Sequence, residues 1–354
     1  MGTVRVPVEL RVRDPQKLAP MIGLDPLGEA EPGTTRLVCG KGFRYVNSKG
    51  ETVKPPERDR LVNLVVPPAW TDVWLCESEQ GYLQATGRDD ADRKQYRYHE
   101  LYRNIRDLQK FARLRYFPKA LVNLRELIDN DLQKKSAGTK QYAVAAVLHL
   151  IDVGLVRVGN EASAADGHYG ATTLSQDHVE VSEDEGYVML SYTAKSGKER
   201  EVLIEDDQLV EVLGSLRDKE SEDLFWYDDD SGIKQTLTSM ELNTAIANTV
   251  GPSFTAKDFR TWGGSRAALE ARVAGASEIE AADAAAEVLG NTRAVARSSY
   301  VHPAILDTSK ADLGDLWRRS RSSSRMLRGD SALAKLLFQT HEKIWPPNIS
   351  QFLN

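Results

Sequence analysis

The sequence predicts an α+β chain. A small antiparallel β domain over residues 1–103 is followed by a larger, mainly helical domain over 104–354 that carries a β-hairpin insertion. Three observations predict it. Short apolar runs separated by turn residues fill the first hundred positions. From Leu101 the apolar residues recur at helical spacing. Two alternating segments then flank the turn KSGK, residues 195–198, inside the helical part.

In chain order, TTRLVC (34–39), GFRYV (42–46), RLVNLVV (60–66), DVWLC (72–76) and GYLQATG (81–87) read as strands. Turn signals around Gly50 and Gly81 punctuate them, and Trp70 and Trp74 are expected in the core. Leu108, Phe111 and Leu114, then Leu121, Leu124 and Leu127, keep a helical period through Gln133. Ala143–Val158 reads as an apolar helix. YVMLSYTA (187–194) and EREVLIE (199–205) alternate as strands do, with Gly197 in the turn between them. Ser277–Leu289 reads as a helix opened by a Ser277–Glu280 capping box and closed by Gly290.

The 354 residues are 41% hydrophobic and 28% charged, a mix that buries a core rather than staying disordered. The net charge of -6 argues against a nucleic-acid partner only as an average. Residues 101–140 hold ten Lys+Arg against four Asp+Glu, and residues 201–230 hold two against twelve. Arg318, Arg319 and Arg321 open a second basic stretch, which either belongs to a basic surface or keeps the C-terminal segment solvated. The expectation is spatial: basic segments line a binding surface and the acidic block faces away. Cys39 and Cys76 are too few for a disulfide framework, which suits a reducing cytosol. No apolar leader opens the chain, Val6 breaks a myristoylation match, and the run from Ala143 is interrupted by His149 and Asp152. A cytoplasmic protein without a membrane partner is expected.

Several chemistries lack their motifs. There is no P-loop, no G-x-S-x-G elbow and no H-E-x-x-H, and the six histidines show no ligand spacing, so no metal or other cofactor is expected. What remains is LVRVGNE with Arg157, KSGKER with Lys198, KDFRTW with Lys257 and Arg260, and LGNTRAVARSSYVHP with Asn291 and Tyr300. These groups suit attack of a tyrosine hydroxyl on a phosphodiester. Guanidiniums match the charge on the nonbridging oxygens, and an amide adds one donor. A lysine on a hairpin can protonate the departing oxygen, and nearby cations help ionise a phenol whose ordinary pKa is about 10.

Each residue also has a plainer reading. Arg157 suits a helix C-terminus, Asn291 suits a helix cap after Gly290, and Lys195 competes with Lys198 at the same turn. His302 reads as a structural residue before Pro303.

Taken in order, these motifs resemble the type IB DNA topoisomerases, in their short bacterial and poxvirus-like branch. The resemblance covers nearly the whole chain. It rests on Arg157, Lys198, Lys257-Asp258-Phe259-Arg260 and Ser299-Tyr300-Val301-His302-Pro303, with PPAWTDVWLC from Pro67 and QATGRDDADRKQYRYH from Gln84 in the first half. It implies a catalytic domain shared with tyrosine recombinases and a clamp around double-stranded DNA, formed by a single chain near the nucleoid. Tyr300 would be the nucleophile, Arg157 and Arg260 the phosphate ligands, Lys198 the general acid, and Lys257 a DNA contact. Many relatives have histidine where this chain has Asn291, which excludes proton transfer there and leaves hydrogen bonding. In RKQYRYH, Arg93 and Gln95 would face one side of a strand and Tyr96 and Tyr98 the other, all near DNA; the tyrosines also read as sheet aromatics. A tyrosine recombinase is the alternative. Its His-x-x-Arg and helical leading domain contrast with Lys257, Arg260 and the β-like first hundred residues.

Overall fold

The computed structural model describes residues 2–195, 197–217 and 221–344. The chain divides into two compact units, Pro7–Ala112 and Arg113–His341, and the residues up to Val6 belong with the second. The 103/104 division read from sequence lies within the helix Glu100–Leu114.

The first unit is built on a five-stranded antiparallel sheet of β1 (Gly33–Cys39), β2 (Gly42–Val46), β3 (Thr71–Cys76), β4 (Leu83–Arg88) and β5 (Lys94–Tyr98). Its spatial order is β2-β1-β3-β4-β5, which leaves β5 on an edge. The helices α1 (Pro15–Met21), α2 (Glu57–Asn63) and α3 (Glu100–Leu114) accompany it. Tyr45, Val53, Leu61, Val73, Leu75 and Ala85 form one core; Leu18, Ala19, Ile22, Leu24, Tyr102 and Ile105 form another. Trp70 packs at the rim of the first core and is only partly buried, as is Trp74, whose indole donates to the Glu31 carbonyl at 3.1 Å.

One strand expectation fails. RLVNLVV is not extended: its first part ends α2. Leu61 and Leu64, three apart, both pack on the core, and Arg60 folds back onto Glu57 at 2.7 Å. The apolar run satisfies the helical period as well as the strand period, and the acidic first turn of Glu57 and Asp59 favours the helix.

The second unit is mainly helical. Its helices are α4 (Phe117–Lys134), α5 (Lys140–Gly154), α6 (Glu161–Ala165), α7 (Asp207–Ser215), α8 (Ser239–Val250), α9 (Ala256–Val273), α10 (Glu278–Leu289), α11 (Arg293–Ser299), α12 (Pro303–Asp307), α13 (Lys310–Arg318) and α14 (Arg328–Ile344). The expected hairpin is β7 (Tyr187–Ala194) with β8 (Lys198–Glu205), and β6 (Val179–Ser182) extends it to three strands. A short pair, β9 (Trp226–Asp228) and β10 (Lys234–Thr236), was not anticipated, because three-residue strands leave no readable alternation. No helix among the described residues is long and apolar enough to cross a membrane.

The core centres on α9. Phe117 meets Phe254 and Phe259 with ring centres 5.5 Å away and Trp262 at 5.7 Å. Close approach requires Gly264, where a Cβ would lie 2.7 Å from Leu289 Cδ1 and 3.4 Å from Tyr300 Cβ. Behind this face lies an ionic knot around Asp330, which is 0% exposed. Asp330 accepts from Arg125 at 2.8 Å, from the Trp262 indole at 2.7 Å and from Arg266 at 3.3 Å. Arg125 also holds Asp152 at 2.6 Å, so α4, α5, α9 and α14 share one network. Burial pushes the Asp330 carboxyl up, and Arg266, Arg125 and the indole bond outweigh it, so it sits below the usual carboxylate range.

Breaking a buried pair strands the remaining charges. Asp330→Ala should therefore lower the unfolding free energy by about 3–5 kcal/mol, read by urea denaturation at neutral pH. The wild-type advantage should be full above the ordinary carboxylate pKa of about 3.9 and fade as pH falls below it.

Candidate active site

The site is assembled from three segments that follow helix ends, carrying Arg157, Asn291 and Tyr300, together with the start of α9 and the hairpin strand β8. Helix α5 stops at Gly154. Leu155 adopts the left-handed conformation (φ 49°) and its N–H bonds the Ile151 carbonyl. Arg157 is therefore not part of the helix, as the sequence suggested, but lies two residues beyond that turn. Lys257 and Arg260 lie one turn apart on α9, whose N-terminus is fixed by a Thr255–Asp258 capping box and a buried Arg113–Asp258 pair at 3.0 Å.

Arg260 is 3% exposed and donates to the carbonyls of Leu155 and, at 2.8 Å, Leu289. Its guanidinium thus joins the ends of α5 and α10. Tyr300 caps the C-terminus of α11. The buried Ser265 hydroxyl donates to the Tyr300 carbonyl at 2.8 Å and accepts from the His302 N–H at 3.0 Å, pinning the backbone on both sides of Val301. His302 caps α12 through its ring, which accepts from the Ala304 N–H, in keeping with the structural reading.

Arg157, Lys198, Asn291 and Tyr300 line one cavity of about 540 Å³, together with Lys195 and Arg200. Arg157 donates to the Asn291 side-chain oxygen. That leaves Asn291 Nδ2 as a buried donor with no partner among the described residues, and Arg260 Nε is another. Arg260 Cζ lies 5.4 Å from the centre of the Tyr300 ring. Lys198 pairs directly across from Ala194, so it shares the face that Ala194 turns to the cavity; Lys195 reaches the cavity from the turn. The acidic block does not wholly face away, since its first residue, Glu201, also lines the cavity beside Glu199. Alternation sets these two carboxylates on the strand face opposite Lys198 and Arg200, so both faces of this end of β8 border the cavity, which a count of charges by segment does not register.

Electrostatically the site is cationic. Arg157 engages an amide and Arg260 two carbonyls, so neither guanidinium is neutralised by these contacts. Burial first, then the neighbouring Arg157, lowers Arg260 to about 10, which still leaves it charged at neutral pH. Burial pushes the Tyr300 phenol up, but Arg260, Lys257 and Arg157 together bring it below its ordinary value. The arrangement offers a partly activated phenol beside donors that face an anionic oxygen.

The remaining predicted contacts lie in the first unit, on β5 and, for Arg93, just before it. Arg93 and Gln95 both bind Asp89, at 2.9 Å each. Tyr96 and Tyr98 stack with ring centres 6.0 Å apart and are 48% and 45% exposed. Tyr98 continues the stack onto Tyr102 at 5.6 Å. The two-faced reading of this strand is consistent with these contacts. Sequence reasoning missed Arg200 and Ser265. Arg200 stood inside the quoted KSGKER, and its place opposite Tyr192 was readable from the hairpin register. Ser265 carried no signal, being one serine in a helix.

A family model described as the catalytic core of eukaryotic DNA topoisomerase I matches residues 99–319. A second, described as the N-terminal domain of bacterial DNA topoisomerase IB, matches residues 42–89. The DNA topoisomerase 1B of Acanthamoeba polyphaga mimivirus is 32% identical over 228 residues, covering 63% of this chain and 67% of the viral protein.

Removing the exposed Lys257 ammonium should raise the Tyr300 phenol pKa. The titration of isotope-labelled tyrosine, followed by NMR with Tyr300→Phe to identify the resonance, should move to higher pH in Lys257→Ala. An unmoved titration would show that Lys257 does not act on this phenol.

Proposed function

This chain belongs to the type IB DNA topoisomerase family and is a DNA topoisomerase, an isomerase that acts on DNA; from that premise we propose how its own residues do the work. The observation that carries the reading is the cationic cavity in which Tyr300 meets Arg157, Lys198 and Asn291, with Arg260 packed against its ring.

In the proposed reaction, Tyr300 Oη attacks a backbone phosphorus of one strand. Arg157 and Arg260 bind the nonbridging oxygens, and Asn291 Nδ2 adds a neutral hydrogen bond. The 5′ oxygen leaves with a proton from the hairpin lysine, and Tyr300 is left bonded to the 3′ phosphate. Rotation of the free end changes the linking number. The reverse attack by the 5′ hydroxyl restores the strand, and since the phosphotyrosine conserves the bond energy, neither ATP nor a metal is required. Lys198 is the assigned acid because it follows Gly197 as in the family pattern and lines the cavity; Lys195, which lines it too, is the competing residue.

The β domain, residues 1–103 in the sequence division, is proposed to contact duplex DNA through Arg93 and, on edge strand β5, Gln95, Tyr96 and Tyr98, with Lys257 contacting the backbone from the catalytic domain. A single chain would close on the duplex as a clamp and work on chromosomal DNA at the nucleoid. What supports this is that each unit separately exposes groups suited to phosphates and base edges.

Supercoiled plasmid incubated with the protein in EDTA without ATP should relax, and Tyr300→Phe should leave it supercoiled. Full relaxation by Tyr300→Phe would remove Tyr300 as nucleophile. Lys198→Ala should cleave an ordinary duplex about 10²–10⁴-fold more slowly. It should recover on a 5′-bridging phosphorothiolate, whose leaving thiolate needs no proton. If Lys195→Ala shows that signature instead, the acid is Lys195.

A further inference from the structure

Arg200 lies in β8 directly opposite Tyr192 in β7, two residues beyond Lys198 and on the same face of the hairpin. Its guanidinium donates to the Val288 carbonyl at 2.9 Å, in the last turn of α10, where carbonyls lack helical partners and the helix carries its negative end. The turn that follows is shaped around it. Gly290 is left-handed (φ 58°), and a Cβ there would lie 2.5 Å from Arg200 Cζ, so the guanidinium fills the space a side chain would take. Asn291, the next residue, is the one that Arg157 holds. Arg200 also interacts with the Tyr192 phenol, and its Nε is buried without a partner among the described residues.

We propose that Arg200 is a positioning residue that ties the lysine-bearing hairpin to the Gly290–Asn291 turn and so places the general acid against the leaving oxygen. This rests on the reading above that a hairpin lysine protonates the 5′ oxygen. The two halves of the acid step come from different elements: the hairpin brings the proton, and the end of α10 brings Asn291 to the phosphate. Arg200 bridges them through the protein itself. Its donors face Val288 and Tyr192 and it packs against Gly290, which distinguishes it from Arg157, whose contact is with the Asn291 side chain.

The test is single-turnover cleavage of a duplex oligonucleotide and of its 5′-bridging phosphorothiolate. Arg200→Ala should slow cleavage of the ordinary substrate about 100-fold, the cost of misplacing a catalytic group by about 1 Å. DNA affinity should stay unchanged, and most of the defect should vanish on the phosphorothiolate. Arg200→Lys, which keeps a donor toward Val288, should retain more activity and serves as the variant of record if Arg200→Ala does not fold. Wild-type rates for both variants would overturn the proposal. So would an equal defect on both substrates while the lysine variant is rescued, which leaves the acid assignment standing and removes Arg200 alone. Failure of both Lys195→Ala and Lys198→Ala to be rescued would overturn the acid reading and this proposal with it.

Discussion

The site depends on one buried guanidinium. Arg260 gives hydrogen bonds to Leu155 and Leu289, the last residues before two turns that carry Arg157 and Asn291. A charge this far from water is costly unless its donors are satisfied; the two helix ends take its terminal nitrogens with their carbonyls, while Nε is left over among the described residues. The same group lies beside the Tyr300 ring. Remove it, and α5, α10 and α11 lose their common point of reference. The fold and the proposed chemistry therefore share this residue.

Small residues make that convergence possible. Gly264 lets Leu289 and Tyr300 close on α9, and Gly290 yields its side-chain space to Arg200. Ser265 uses one hydroxyl to fix the backbone before and after Val301. The result is a closely held seat for the phenol, fixed by the backbone on either side of it.

Much of this was legible in the sequence. The capping box at Ser277 and the left-handed glycine at Gly290 follow from local chemistry, and α10 has those ends. The hairpin followed from alternation around Gly197, and β7 and β8 pair in that register. The misreading of RLVNLVV as a strand arose because an apolar run fits both periods; the acidic first turn and the burial of Leu61 decide for the helix. Arg157 was placed on a helix because Leu155 carries no sign that it turns left-handed; glycine or asparagine would have signalled it. The parts of the site that stayed hidden, Ser265 and Arg200, act by contacts across the fold, and a linear pattern holds no record of those.

The segments that surround Tyr300 come from positions as far apart as Leu155 and His302, so the environment of the phenol exists only in the native unit. A nascent or partly unfolded chain has the same tyrosine in water, at an ordinary pKa and with no guanidinium beside it. With Tyr300 as the proposed nucleophile, such a chain would not cut: misfolding, truncation during synthesis or thermal opening would silence the phenol before it left a nick behind. Errors of folding would cost an enzyme and spare its DNA.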